Sequence, residues 1–239
     1  MTGDSLRSTV RDLVGVGNAT AYPRLTDANI NAYVNRAMHQ LAAKAEPLAL
    51  QAYNTQNITA ADSTYELGSV AFRIFAVNFG VATVRALKPI TFGELDTQFP
   101  GWQATGNLEP THYVIEGVNA SGYMKLRLWP TPPDSINSGL TVRYLATPTS
   151  LASITSGAVT EWPEYVCDGF ACYAAWRTVL RFSERGVSDP RAAAMKSEWD
   201  EAAALFIEQE QLAHPQRWGH CAMESDTTGI GIETPWGWG

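Results

Sequence analysis

The sequence predicts an α+β fold, with helices at both ends of the chain and a β module between them. Three observations carry this. Ile30, Val34, Met38, Leu41 and Ala45 recur at helical spacing near the start. Met195, Trp199, Ala202 and Phe206 step by four, three and four near the end. Between them, from about residue 52 to 148, the period falls to two, and proline or glycine stands at nearly every joint.

The elements follow in order. Residues 5–14 form a short helix with Leu6, Val10, Leu13 and Val14 on one face, broken by Gly15 and Gly17. That Gly-x-Gly follows a helix rather than a strand and lacks a third glycine, so it is no dinucleotide loop. Thr26-Asp27 is the start signal of the second helix, and Pro47 ends it. Strand candidates then fall at Ile58, Tyr65–Leu67, Val70–Val77, Val81–Leu87 and His112–Ile115, with a helical turn at 92–96.

In the next run Met124, Leu126 and Leu128 alternate with Lys125, Arg127 and Trp129. Leu140, Val142 and Tyr144 do the same farther on. These two runs read as a hairpin joined by the proline-rich turn Pro130-Thr131-Pro132-Pro133. Pro163 suits the first turn of a helix carrying Val166, Phe170, Tyr173 and Leu180 and ending near Gly186. Asp189 and Pro190 suit the N-cap and first position of the last helix. The domains are therefore 1–51 (N-terminal helices), 52–150 (inserted β module), 151–213 (C-terminal helices) and 214–239, an aperiodic arm with Trp218, Trp236 and Trp238.

Composition narrows the function. The net charge of −7 is unlike a grip built on phosphate neutralisation. Residues 151–213 hold ten acidic and five basic side chains, against four and five in residues 1–50, so the acid excess sits on the C-terminal helices. Three cysteines without framework spacing do not make a disulfide scaffold. No basic region precedes an apolar run at the N-terminus, and no stretch approaches the roughly 20 apolar residues of a membrane span. The chain is expected to be made in the cytoplasm.

No catalytic constellation stands out. His214, His220 and Cys221 match no zinc spacing and lack a fourth ligand, so neither metal nor cofactor is expected. Cys167 and Cys172 are five apart on one helix, which suits packing better than nucleophilic chemistry. Glu94 with Asp96, and Glu161 with Glu164, are the carboxylate pairs a glycan hydrolase would need. They sit at a loop and at a helix start, where the helix dipole alone favours acids. Trp102, Trp129 and Trp162 could form a sugar-stacking platform, but core or interface packing suits them better. Lys125 and Arg127 share a strand face, too small a patch for DNA. An apolar, aromatic arm has area to bury and favours a partner surface. Fully stretched, it would reach about 80 Å.

Several segments in order resemble one family. They are Pro110–Gly117, Leu126-Arg127-Leu128-Trp129-Pro130-Thr131-Pro132-Pro133, Val142-Arg143-Tyr144, Trp162-Pro163 before a helix, and Thr26–Ala37. Together, over about residues 5–212, they resemble tailed-bacteriophage head-to-tail adaptors, which include the podophage tail tubular protein A type and the connector adaptors of long-tailed phages. The resemblance implies a non-enzymatic virion protein at the tail neck. It implies a homo-oligomeric ring, usually of about twelve copies, bound below the portal protein and offering a platform to the next tail protein. Double-stranded DNA would pass through the lumen without sequence-specific binding.

The arm, through Trp218, Trp236 and Trp238, would dock on the portal or a neighbour. Trp129, Pro132 and Pro133 would meet a tail protein or an adjacent subunit. Some of Glu198, Asp200, Glu201, Glu208 and Glu210 would face the lumen and repel phosphate. The alternative reading is a carbohydrate- or receptor-binding virion module, and a glycan hydrolase ranks last.

Overall fold

The computed structural model describes residues 1–15, 25–104, 106–154, 159, 161–182 and 189–213. The fold is α+β, as the sequence predicts. It holds five α-helices and two four-stranded sheets among the described residues. The chain divides into two units, Leu48–Thr149 and the helical remainder, Met1–Pro47 with the segment from Ser150 onward.

The helical unit forms where the periodicity says it should. Helix α1 (Gly3–Val14) opens on a capping box, with Thr2 and Ser5 each bonding the other's backbone N–H, and closes on Gly15 at φ +81°. Helix α2 (Asp27–Ala45) is capped by Thr26 and stops at Glu46, one residue before Pro47. Helix α4 (Glu164–Phe182) begins after Pro163, and helix α5 (Pro190–Ala213) begins on the Asp189 side chain, which accepts from the Arg191 N–H at 3.0 Å.

Helix α4 is the centre of this unit and packs against α1, α2 and α5. Its apolar residues fit between Leu6 and Val10 of α1, Ile30, Val34 and Met38 of α2, and Trp199 and Phe206 of α5, all buried. Phe170 is completely buried, with ring centroids 5.2 Å from Trp162 and 5.8 Å from Trp199. Arg7 is buried too. Its guanidinium donates to Asp4, Asn31 and the Leu151 carbonyl at 2.7–2.9 Å, which ties α1 to α2 and to the segment after residue 150.

The β unit differs from expectation in its connections. One sheet runs β1 (Gln51–Ile58), β8 (Ile136–Ala146), β3 (Ala71–Phe79) and β4 (Arg85–Ala86). The other runs β2 (Thr64–Glu66), β7 (Met124–Trp129), β6 (His112–Val118) and β5 (Lys88–Pro89). All pairings are antiparallel except β5 with β6.

The expected hairpin of residues 123–148 is therefore corrected. Strands β7 and β8 lie in different sheets, and the prolines at 130, 132 and 133 carry the chain across from one to the other. Proline cannot donate to a ladder, so the run ends pairing instead of turning it back. The true hairpin is β6–β7, turned at Asn119–Gly122. The expected strand at 81–87 is reduced to the two-residue β4, because Gly80 (φ +98°) turns the chain so tightly that a Cβ there would lie 2.4 Å from the Thr83 carbonyl oxygen.

The inner faces of the two sheets share one core, with Ile58, Val77, Leu126, Leu128, Leu140 and Val142 among its members. On the other side of β6 and β7 lies a second, smaller core. Here α3 (Phe92–Gln98) sets Leu95 against Val114 and Trp129, with Phe99 and Trp102 packed alongside.

Candidate assembly surfaces

The residues that might have carried chemistry are occupied with structure. Glu94 completes the capping box of α3: its carboxylate accepts from the Thr91 N–H at 2.8 Å, and that bond holds its pKa below the usual carboxylate range. Asp96 accepts from the indole N–H of Trp102 at 2.8 Å. Neither carboxylate is poised as an acid–base partner of the other. The Cys167 thiol is pushed up to about 11 by burial. The Cys172 thiol is pushed up to about 12, first by burial and then by Glu198, whose carboxylate accepts from it at 3.0 Å. Thiols so far from thiolate are packing groups. No group of three metal-binding side chains occurs among the described residues. His214, His220 and Cys221 lie outside them.

The two cations on β7 are answered within their own sheet. Lys125 pairs with Glu66 at 3.2 Å, and Arg127 with Glu116. The three tryptophans considered as a sugar platform are dispersed. Trp162 is buried in the helical unit, and Trp102 and Trp129 belong to the core beneath α3. Of the strand-end candidates, Trp129 is 9% exposed and Pro132 is buried, while Pro133 is half-buried. Trp129 stacks against Phe99 at 4.3 Å and His112 at 5.6 Å, so most of its area already serves the β unit.

His112 gives the β unit a pH response. Burial, then the nearby Lys88 charge, lower its pKa. A lowered histidine binds its proton more readily unfolded than folded, so its stabilising contribution is lost as pH falls through the ordinary histidine range, about 6.5. Glu66 is lowered by the Asn119 hydrogen bond and then by Lys125, and Glu94 by its cap. Their contributions are present above the ordinary glutamate range and are lost at more acid pH. The β unit is expected to weaken between roughly pH 7.5 and 5.5, and His112→Gln to flatten that part of the profile. Urea midpoints across this range check it.

The five α5 carboxylates do not form one patch. Glu201 and Glu208 are exposed on one side of the helix, and Glu198 lies at the edge of that side, its carboxylate reaching the Cys172 thiol of α4. Asp200 is turned toward Lys196, which it meets at 2.5 Å, and Glu210 is half-buried. Beside α5, α2 and α4 frame a groove of about 870 Å³. Arg36, Lys44, Arg177 and Lys196 rim it, and Trp176, Ala203 and Ile207 contribute apolar surface. Arg177 and Lys196 lie over the Trp176 ring at 5.4 and 6.0 Å, within reach of a cation–π attraction. This groove is missing from the sequence reading. Its signal was there in Arg36 and Lys44, eight apart on α2, and Arg177 on α4, but only packing shows that the two helices present them to one space. The arm tryptophans Trp218, Trp236 and Trp238 lie outside the described residues.

The model of the SU10 adaptor protein family matches residues 1–219. The chain belongs to the SU10 adaptor protein family. This bears out the head-to-tail adaptor resemblance, and the match takes in both units of the adaptor. A comparison with curated proteins gave no match. Among solved structures the adaptor is similar to a chain from the neck of an empty GTA particle computed with C6 symmetry. The identity is 12%, covering 81% of this chain and 87% of that one, with a TM-score of 0.28.

Proposed function

We propose that this adaptor is a structural, non-enzymatic subunit of the virion neck, a homo-oligomeric ring of about twelve copies that sits below the portal, extends the DNA channel and receives the next tail protein. The family match over residues 1–219 carries the reading. A structural role also suits Glu94, which caps α3, and Glu198 and Cys172, which bond each other between α4 and α5. The acid excess suits a channel through which DNA slides, because carboxylates repel the phosphate backbone. Since Glu198, Glu201 and Glu208 share a side of α5 that Asp200 and Glu210 do not, a lumen would take only a subset of the five. The arm 214–239 would anchor on the portal or a neighbour through Trp218, Trp236 and Trp238, and Pro133 with the exposed edge of Trp129 would meet a tail protein or an adjacent subunit.

Mass photometry and negative-stain imaging of the chain with its portal test the proposal. A ring of about twelve copies on the portal is expected. Deleting 214–239 is expected to leave a folded protein that no longer joins heads. A monomer that ignores the portal refutes the ring, and a truncated chain that joins heads normally refutes the arm.

A further inference from the structure

The outer side of α5 has a pattern of its own. Ala194, Glu198, Glu201, Leu205, Glu208 and Leu212 are spaced four, three, four, three, four, which places them along one face of the helix. This stripe is separate from the core stripe of Met195, Trp199, Ala202 and Phe206. Its leucines are unusually open, Leu205 at 46% and Leu212 at 73% exposure. Along its second half, Leu205 and Leu212 flank Glu208. At about 100° per residue, it lies about 160° around the helix from Lys196, Ala203 and Ile207, which line the groove.

We propose that neighbouring copies join by seating the outer stripe of one α5 in the α2–α4–α5 groove of the next. The proposal rests on the ring reading above and names the surfaces that would build the ring. Charge complementarity selects the occupant. The groove carries four cations and a single carboxylate, Asp200, which meets Lys196 at 2.5 Å, while the stripe carries no cation: Glu201 and Glu208 stand on it, and Glu198 borders it with its carboxylate turned to the Cys172 thiol of α4. Apolar surface also matches, because Leu205 stands between Glu201 and Glu208 and Leu212 follows them, while Trp176 and Ile207 line the groove among the cations. Coulomb attraction alone would be screened by salt; leucines removed from water give the contact a component that is not.

The geometry also sets the symmetry. Stripe and groove lie on nearly opposite sides of one helix, so each copy gives one surface and accepts the other. Such a head-to-tail contact either closes into a ring or runs on as a filament, and it cannot make an isologous dimer. Glu198, Glu201 and Glu208 would then lie between subunits, in place of the lumen-facing position weighed for α5 acids under the ring reading.

Two full-length variants test this on portal-bound assemblies, after circular dichroism confirms that each folds: Glu201→Lys with Glu208→Lys, and Arg36→Glu with Lys44→Glu. All four residues are exposed, so their reversal spares the core. Each variant alone brings like charges together, and ring yield is expected to fall about tenfold or more. Mixing the two variants restores opposite charges at every contact, in rings of alternating subunits. In a separate chain that also carries Cys221→Ser, Ala43→Cys with Leu205→Cys is expected to give a ladder of disulfide-linked subunits on oxidation, where neither single cysteine variant gives a ladder.

Wild-type rings alongside undiminished rings from either charge variant would overturn the proposal while leaving the ring reading intact. Intact variant rings with altered DNA retention would return the acids to the lumen and overturn it as well. A wild-type chain that forms no ring on the portal removes the ring reading itself.

Discussion

Phe170→Ala is expected to remove about 3–5 kcal/mol from the helical unit. Phe170 has no exposed surface and lies on the central helix, between Trp162 and Trp199. Truncation loses the transfer free energy of the ring and leaves a space that the neighbours can fill only by moving. Those neighbours are two other large aromatics, themselves packed on Phe206 and Tyr173, so collapse into the gap is restricted. The loss is a large fraction of the stability of an ordinary domain. Urea unfolding of the full chain checks it: the transition of the helical unit should move to lower denaturant. Phe170→Leu, which keeps most of the volume, should fall between the two. A shift of under about 1 kcal/mol for Phe170→Ala would mean that the aromatic cluster does not hold α4 and α5 together.

Gly169→Val is the second large effect, of the opposite kind. A Cβ built on Gly169 would stand 2.8 Å from the Cβ of Ala202, closer than non-bonded carbon atoms pack. Glycine is a poor helix former, costing about 1 kcal/mol against alanine, so propensity alone disfavours it in the middle of α4. Its presence follows from contact: α4 and α5 touch at this point, backbone against side chain. Valine adds three carbons there and forces the helices apart, an overpacking cost of about 1–3 kcal/mol beyond which the pair must repack. Ala202→Gly in the same chain removes the opposing methyl and should recover part of the loss. A double-mutant cycle by urea unfolding measures that recovery. Purely additive losses would show that the two positions do not meet.

The helices were legible because their signals are local. Thr26, Pro47, Asp189 and Pro190 mark ends, and a buried face repeats every three or four residues whatever lies opposite. Strand partners were not legible. Leu126, Leu128, Leu140, Val142 and Tyr144 alternate correctly, but period two says only which side chains point inward. Both runs line the same core from opposite sheets, and alternation cannot tell a hairpin from a sandwich. Val81–Leu87 misleads for a related reason: its apolar β-branched residues have the composition of a strand, whereas Gly80 turns the chain and leaves Val81 and Val84 exposed. Of the assembly surfaces, the acid excess on the last helix could be counted from sequence. The groove that answers it could not, since Arg36 and Arg177 are 141 positions apart and meet only through packing.

The β unit enters and leaves the helical unit through adjoining strands. β1 begins at Gln51 and β8 ends at Ala146, and Gln51 is paired with Leu145. For the helices, the closure entropy of the intervening chain is therefore not that of a loop of a hundred residues. Once folded, the insertion has its two ends side by side, and the helical unit sees a connection about as short as a tight turn. Shortening or lengthening the far loops of the β unit leaves that closure unchanged. Changes of length inside the β unit are thus thermodynamically insulated from the helices that frame it.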